Sequence, residues 1–532
     1  MLRPKDTMSI PPAAKESRLP SAGTQGRLIL NLRTAFARSP LGVIATVILF
    51  ILLAILSLRI VVGAATSAAM FSFPFQFDES EGMIVAETML LDQGVNIFEV
   101  PTAQFFVAAP YPPLFYLVNW PIQRLAGDEP TFKGGRAISL VATLLAAAFI
   151  FGIIIRFYGD KLAGAIGAGV WLSLGLTNYW GILVKPDMLA VSLGLGGLWV
   201  LVVRGPDRPW LALLFFLCAF FTKQTAIAAG AASCIWLIYE RPRKGIAFAA
   251  VYVLGALIPS LILDFTTKGG YFYHLLTLHD LPWFADRFQQ YVSYFLSTYG
   301  LFVVPSAIGL LWAGASSVLK RLLSRERTDV ERHSPLFVLY LAISIFSAIG
   351  TGTLGGNHNH LLEWAASTSL GLGLLIALLR ARQSRRFQVA ASALGLLLLL
   401  QTPSLFATPA WLQRELSLLS DTKREGMQNI FQYVTNNGGT AYSDNVGLLL
   451  ITGKKLWSTD PFTQTHATFY GRWDESDLVK AIEKGEFAQI ILRIDVFDPK
   501  EGAGDVSPRI LQAVRNHYKL DKRNVENIYV PR

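Results

Sequence analysis

Cysteine is nearly absent. The 532 residues hold only Cys218 and Cys234, each inside an apolar run. They have neither the number nor the spacing of a disulfide framework or a thiolate metal site, and read as packing residues. Charge is also scarce: Asp, Glu, Lys and Arg make up 16% of the chain against 52% hydrophobic residues, where an average soluble domain carries about 25% charged residues. Mean hydropathy is +0.42. This deficit, spread over many long apolar runs, excludes an ordinary soluble protein and indicates a polytopic membrane protein. A net charge of +10 would suit nucleic acid, but its placement fits membrane orientation better, so no nucleic-acid partner is expected.

Residues 1–39 are polar, with Pro, Ser and several Lys/Arg, and are expected to form a disordered cytoplasmic tail. The first apolar run, 41–64, is too long for a signal-peptide core and reads as a retained anchor helix. Crossing a bilayer takes about 20 apolar residues. Spans are expected near 41–64, 137–155, 162–181, 187–203, 209–222, 225–239, 245–263, 291–318, 336–353, 361–379 and 388–406, about eleven in all. The short pair at 209–239 carries the weakest signal. The spans show no strong charge at their centres and no matched halves, which argues against a transporter with midplane sites.

The stretch 111–125 (YPPLFYLVNWPIQRL) is apolar but short, and it contains Pro113, Asn119, Pro121 and Arg124. It is expected to lie in the interface, where Tyr116 and Trp120 are well placed. One extra crossing there would invert everything downstream, so charge placement tests the choice. With the N-terminus inside and 111–125 uncrossed, the inner loops 156–161, 204–208, 240–244, 320–333 and 380–386 hold 16 Lys/Arg, while the outer loops hold six. The positive-inside rule favours that arrangement.

An odd number of spans then leaves 407–532 outside the cytoplasm. That region holds 16 basic and 16 acidic residues. It alternates helix-like and strand-like stretches: a helix near 410–435, a turn at Asn437-Gly438-Gly439, a strand at 440–443, a helix at 474–484 and a strand at 487–493. A small α/β domain is expected. The expected fold is thus an all-α polytopic membrane domain over 40–406, with outer-face interfacial helices, followed by a small extracytoplasmic α/β domain over 407–532.

The unusual polar groups share the outer face: Asp78, Glu79 and Glu81 in "FDESEGM", Arg136, Lys185 and Asp187 in "KPD", Lys223, His274, His279, and Asn357, His358 and His360 with Glu363. Acids at a helix start are favoured by the helix dipole. Three so close raise one another's pKa and call for a cation, a metal or a catalytic duty. Arg136 could be a snorkelling helix-end residue. Lys185 and Asp187 could be a turn, with Pro186 starting the next helix. Lys223 interrupts an apolar run, where a charge is costly without a role. His358, His360 and Glu363 have the donor types for a divalent ion, or are hydrogen-bonded loop residues. The "SDN" at 443–445 reads as a turn, and "YFYHLLTLHDLPWF" as an interfacial helix.

The ordered set "DESEG…AETMLLDQG", "YPPLFYLV", "GGRAISL", "VKPDMLAVSLGL", "FFTKQTAIAAG" and "GGNHNHLLEW" resembles the GT-C superfamily. The likeness is to its bacterial branch of lipopolysaccharide-core galacturonosyltransferases, aminoarabinose transferases and protein O-mannosyltransferases, and it covers most of residues 40–406. The resemblance implies a hexosyl- or pentosyltransferase of the inner membrane, serving the cell envelope. Its donor would be a polyprenyl-phosphate-linked sugar and its acceptor an extracytoplasmic lipid, glycan or protein. The family's catalytic Asp maps onto Asp78 with Glu79 beside it, its interfacial "PPL" onto Pro112-Pro113-Leu114, and its second-loop acid onto Asp187. Arg136, Lys185 and Lys223 match the cations that hold the lipid phosphate. Tyr111, Asn357, His358, His360 and Glu363 complete the expected substrate-binding set. The chain departs from the pattern in carrying Glu81 and "NHNH", which leaves a divalent metal open. The mechanism implied is a single inverting displacement, with Asp78 as base and Glu79 or Glu81 as its orienter. A flippase for lipid-linked glycans is the alternative.

Overall fold

A computed structural model describes residues 40–127, 129–498 and 506–532; the expected N-terminal tail lies outside them. The membrane part begins with α1 (Pro40–Ser72), α2 (Glu79–Asp92), α3 (Leu114–Leu125), α4 (Lys133–Tyr158), α5 (Lys161–Ser173), α6 (Gly175–Trp180) and α7 (Asp187–Arg204). It continues with α8 (Trp210–Thr222), α9 (Ala228–Glu240), α10 (Pro242–Thr266), α11 (Ala285–Leu322), α12 (Asp329–Ser347), α13 (Leu362–Ala381) and α14 (Arg385–Phe406). Every apolar stretch expected to span is helical. The stretch 162–181 is split between α5 and α6 by the extended backbone of Leu174 (φ −67°, ψ 131°). Among the described residues, eight helices are long and apolar enough to cross a bilayer; α8 and α9, at 13 residues each, are shorter.

Apolar side chains face outward along these helices, as Val47, Phe50 and Val61 do on α1 and Val253, Leu257 and Leu261 on α10. A soluble protein does not expose such continuous apolar faces, and a lipid-facing one does. The chain is a multi-pass membrane protein. One charge does sit inside a span, contrary to the sequence reading. Arg59 of α1 is nearly buried, and its Nε donates to the Leu405 carbonyl at 2.6 Å. Leu405 lies in the last turn of α14, where carbonyls lack helical partners and accept a cation readily.

The basic loops gather at one end of the bundle through ion pairs. Arg156 meets Asp329 at 3.5 Å, Arg380 meets Asp160 at 2.6 Å, Arg327 meets Glu240 at 2.7 Å, and Lys244 meets Asp207 at 2.9 Å. At the other end lie α2, α3, the 182–186 and 223–227 turns, and the 348–361 segment. At about 1.5 Å per residue, the 12-residue α3 is too short to cross. It packs on α2, with Tyr116 Oη donating to Glu87 at 2.8 Å and Trp120 Nε1 to Asp92 at 2.7 Å.

The C-terminal part holds α15 (Ala410–Leu416), α16 (Asp421–Asn436), β1 (Ala441–Ser443), α17 (Val446–Ile451), α18 (Pro461–Phe469), α19 (Ser476–Glu483), β2 (Gln489–Leu492), α20 (Pro508–His517), β3 (Tyr518–Arg523) and β4 (Asn527–Pro531). The four strands form one sheet in the order β1-β2-β4-β3, with β1 parallel to β2 and the rest antiparallel. The single helix expected over 410–435 is two helices. Ser420 caps α16, its hydroxyl accepting from the Lys423 N–H at 3.4 Å, and this local signal outweighs continuous helix. The β3–β4 hairpin is absent from the sequence reading because "YKLDKR" is too polar for the apolar alternation that marks a strand.

A buried ion pair locks α2 into the bundle. Glu81 and Arg136 are both fully buried and meet twice at 2.9 Å. The remaining guanidinium hydrogens go to the carbonyls of Met70, Phe73 and Phe75. Glu81 also accepts the N–H groups of Phe77 (2.7 Å) and Val184 (3.0 Å). All five guanidinium donors are thereby used. Arg136 is therefore not a phosphate holder and Glu81 is not an orienter of Asp78: neither has an atom left for a ligand.

Glu87, nearly two turns further along α2, secures a second junction. It accepts from the Ala109 N–H at 2.9 Å, from Tyr116 Oη, and from Thr459 Oγ1 at 2.8 Å. Burial outweighs these donors and pushes its carboxyl up to about 7. It thus ties α2 both to the loop before Tyr111 and to the C-terminal domain.

Removing one partner of a buried pair costs about 3–5 kcal/mol. Arg136→Ala is therefore expected to lower the melting temperature of the detergent-purified protein sharply. Arg124→Ala, which breaks an exposed pair with Asp92 at 3.9 Å, should cost under about 1 kcal/mol. Similar melting points for the two variants would contradict this assignment. Glu87 keeps its proton to about pH 7 when folded and to the ordinary 4.5 when unfolded. Its raised pKa stabilises the fold fully below pH 4.5, and that contribution is lost as pH rises through about 7. The melting-point difference between wild type and Glu87→Gln is expected to shift against wild type across that window; a difference independent of pH counts against it.

Candidate active site

The chain enters α2 through Asp78, whose extended backbone (φ −119°, ψ 143°) and side chain cap the helix by accepting the Ser80 N–H at 2.9 Å. Each of the three neighbouring acids has its own cation. Asp78 meets Lys185 Nζ at 3.0 Å, Glu81 meets Arg136 as described, and Glu79 is paired with Arg493 of the C-terminal domain. The crowding of charge noted in the sequence is resolved by three cations arriving from three parts of the chain. Neither Glu79 nor Glu81 orients Asp78; Ser80 and Lys185 do.

Asp78, Glu79 and Lys185 line a cavity of about 910 Å³, together with Tyr111, Lys223 and His360. Burial alone would push the Asp78 carboxyl up. The Lys185 ammonium and the Ser80 contacts outweigh it and hold its pKa below the ordinary value. Burial likewise opposes the Lys185 charge, yet Asp78 above all raises its pKa. Lys185 also lies over the Trp180 ring at 4.6 Å, an attractive contact for a cation. Burial pushes the Tyr111 hydroxyl up, so Tyr111 faces the cavity as a neutral phenol.

A second pair stands beside the first. Lys223, just after α8, bonds Asp187 at the start of α7, and Asn359 Nδ2 donates to the same carboxylate oxygen at 2.9 Å. The other Asp187 oxygen is buried without a hydrogen-bond partner among the described residues. Asp187, Lys223, His360 and Glu363 line a small adjoining cavity of about 20 Å³, enough for one water molecule.

Of the expected site residues, Asp78, Glu79, Tyr111, Lys185, Lys223, Asn357 and His360 reach the main cavity, and Asp187 and Glu363 stand behind it. Arg136 and Glu81 do not reach it. His358 points elsewhere: its ring stacks on Trp411 at 4.2 Å and meets Tyr291 and Tyr294 edge-on. His358 is thus an aromatic packing residue, and the Asn357 side chain bonds its N–H and ring Nδ1. His274 is fully buried, with its ring nitrogens against the carbonyls of Ala108 and Glu99; His279 lines the cavity.

Asp78 and Asp187 are each answered by a lysine, and His358 is turned away among aromatic rings. Among the described residues, no group of three or more His, Cys, Asp or Glu side chains is placed to hold a metal.

The sequence reading missed the far wall, which the C-terminal domain supplies. Arg414, Lys423, Asn445, Asp460, Arg493 and Glu526 all line the cavity. The domain is docked by Phe106 pairing with Ser458, by Gly447 N–H donating to Gln76 at 2.9 Å, and by Arg472 meeting Asp280 at 2.9 Å. The "SDN" segment, expected to be a turn, is the junction of β1 and α17: Ser443 ends the strand and Asp444 makes a bend. Asp444 pairs with Arg493, and Asn445 caps α17 and donates to Glu526 at 2.6 Å. No local signal announces these wall residues, because the docking of the C-terminal domain, and no spacing along the chain, brings them to the cavity.

No protein-family model matches the chain, and no curated protein matches it in sequence. Its backbone does match solved structures. The crystal structure of ArnT from Cupriavidus metallidurans bound to undecaprenyl phosphate aligns with a TM-score of 0.58 at 11% identity, covering 89% of this chain and 97% of that one. The apo state of the same protein aligns with a TM-score of 0.58 at 12% identity over the same shares. The apo oligosaccharyltransferase of Archaeoglobus fulgidus aligns at 0.49 and 10% identity, over 87% of this chain and 73% of its own. At these identities the likeness is one of fold. Apolar helices, a polar end bearing paired carboxylates and lysines, and a docked α/β domain assemble here in a fold shared with that ArnT.

Proposed function

We propose that the protein is a membrane glycosyltransferase that moves a sugar from a polyprenyl-phosphate donor to an acceptor at the extracytoplasmic face. The observation that carries this reading is the Asp78–Lys185 pair, 3.0 Å apart, on the wall of a large cavity at the end of the bundle opposite its basic loops. That segregation also supports a cytoplasmic start for α1 and an extracytoplasmic C-terminal domain. The fold it shares with ArnT, solved bound to undecaprenyl phosphate, agrees with a lipid-phosphate donor.

The proposed reaction is one displacement. The acceptor oxygen forms a bond to the anomeric carbon as the carbon–oxygen bond to the phosphate breaks. The Asp78 carboxylate takes the acceptor proton, and the phosphate leaves with the electron pair. Lys185 and Lys223 meet the developing phosphate charge, where low dielectric strengthens each contact. In the resting site Asp78 is a weak base, because Lys185 holds its pKa down. A donor phosphate that shares the Lys185 ammonium weakens that hold, so donor binding itself makes Asp78 a better base. Lysines, rather than a metal, serve as the cations in this proposal.

Asp78→Asn is expected to lower transfer from a polyprenyl-phosphate sugar by about 10²–10⁴-fold in a protein that still folds, with a lower melting temperature because Lys185 loses its partner. Near-normal transfer by this variant would end the proposal. Lys185→Gln is expected to lower kcat by about 10²–10³-fold, measured on the purified protein with synthetic donor. A change confined to KM would show that Lys185 binds the ground state only.

A further inference from the structure

The C-terminal domain has a second concavity, of about 580 Å³, on the far side of α16 from the candidate active site. Asn429, Gln432, Tyr433 and Asn436 recur at i, i+3, i+4 and i+7 and so share one face of that helix. Lys423 and Met427 of the same helix line the main cavity. The β3–β4 hairpin is divided in the same way: Val525 and Glu526 face the main cavity, while Lys522, Asn524 and Ile528 line the groove. The two sites are therefore separated by one helix, about 10 Å across, and by the tip of one hairpin.

The chemistry of this groove is unusual for a helix surface. Exposed helix faces are ordinarily filled with Lys, Glu and Arg, which favour helix, whereas Asn does not. Five of the nine lining residues are Asn or Gln and none is a carboxylate. Side-chain amides offer a donor and an acceptor on one planar group, which matches the hydroxyls of a sugar, themselves donors and acceptors. Tyr433 supplies an amphipathic ring, held by its Oη donating to Asp521 at 2.8 Å and by Lys522 Nζ at 4.5 Å from its centre. With Lys522 the single formal charge in the lining, the groove lacks the clustered cations that phosphate or nucleic acid requires.

We propose that the groove is a carbohydrate subsite that holds sugar units of the acceptor next to the unit being modified. This rests on the glycosyl-transfer reading, and it makes the acceptor a glycan of several sugar units, positioned by the C-terminal domain while its reacting end crosses the hairpin tip into the cavity.

The test is ligand-observed saturation-transfer NMR on the full chain in detergent micelles. The probes are a neutral hexose tetrasaccharide, a neutral N-acetylhexosamine tetrasaccharide, and deacylated envelope polysaccharide from the producing cell. Saturation of sugar protons is expected with the wild type and with Asp78→Asn. It should weaken about tenfold or more in Gln432→Leu/Asn436→Leu, which removes two hydrogen-bonding amides, at an unchanged melting temperature. If that variant is unstable, Asn429→Leu/Asn524→Leu takes its place. In the transfer assay the same variants are expected to raise KM for a long acceptor with kcat unchanged. No saturation from any probe, or saturation that survives both double substitutions, overturns the proposal. Because binding is read without turnover, that failure is distinct from retained transfer in Asp78→Asn, which would instead remove the transferase reading.

Discussion

Carboxylates withdrawn from water must be met by cations or by hydrogen-bond donors, and the polar end of this protein is organised around that demand. Glu81 is the extreme case. It lies fully buried against Arg136, which in turn gathers three backbone carbonyls from the 70–75 segment. The pair joins the end of α1, the start of α2, the first turn of α4 and the Val184 turn. With α2 held in that way, Asp78 stands at its N-terminus where Lys185 can reach it, and Glu79 faces the C-terminal domain. The acid that resembles a catalytic group in sequence supports the site without entering it.

The candidate site is a set of matched charges. Asp78 with Lys185 and Asp187 with Lys223 leave the resting cavity with little net field. In the proposed reaction an anionic donor must therefore compete for lysines already engaged. Competition of this kind couples binding to chemistry, since a phosphate that draws on Lys185 restores basicity to Asp78. The C-terminal domain belongs to the same unit. Arg493 reaches Glu79, Thr459 reaches Glu87, and the domain's helices and hairpin complete the cavity wall.

Much of the membrane architecture was legible in the sequence. The apolar runs near 41–64, 245–263 and 388–406 became α1, α10 and α14. The polar, proline-bearing 111–125 became a short helix lying on α2. The start of a helix near Asp78 was legible from its acids. The roles of Arg136, Glu81 and His358 were not legible. An arginine near a helix start, an acid in a cluster and a histidine in a Gly/Asn loop have the same local pattern whether they face a ligand or a neighbour. Arg59 was overlooked because a single charge barely alters the hydropathy of a long apolar window.

The sequence by itself determined that the chain crosses a membrane many times, with its basic loops on one side. Lipid offers the backbone no hydrogen bonds and so demands long apolar helices, and both hydropathy and loop charge are local properties. Only the tertiary structure decided which acid meets which cation. Glu81 and Arg136 are 55 positions apart, and Glu79 and Arg493 are 414 apart. Such partners are chosen by the packing of whole helices and domains, to which no periodicity along the chain refers.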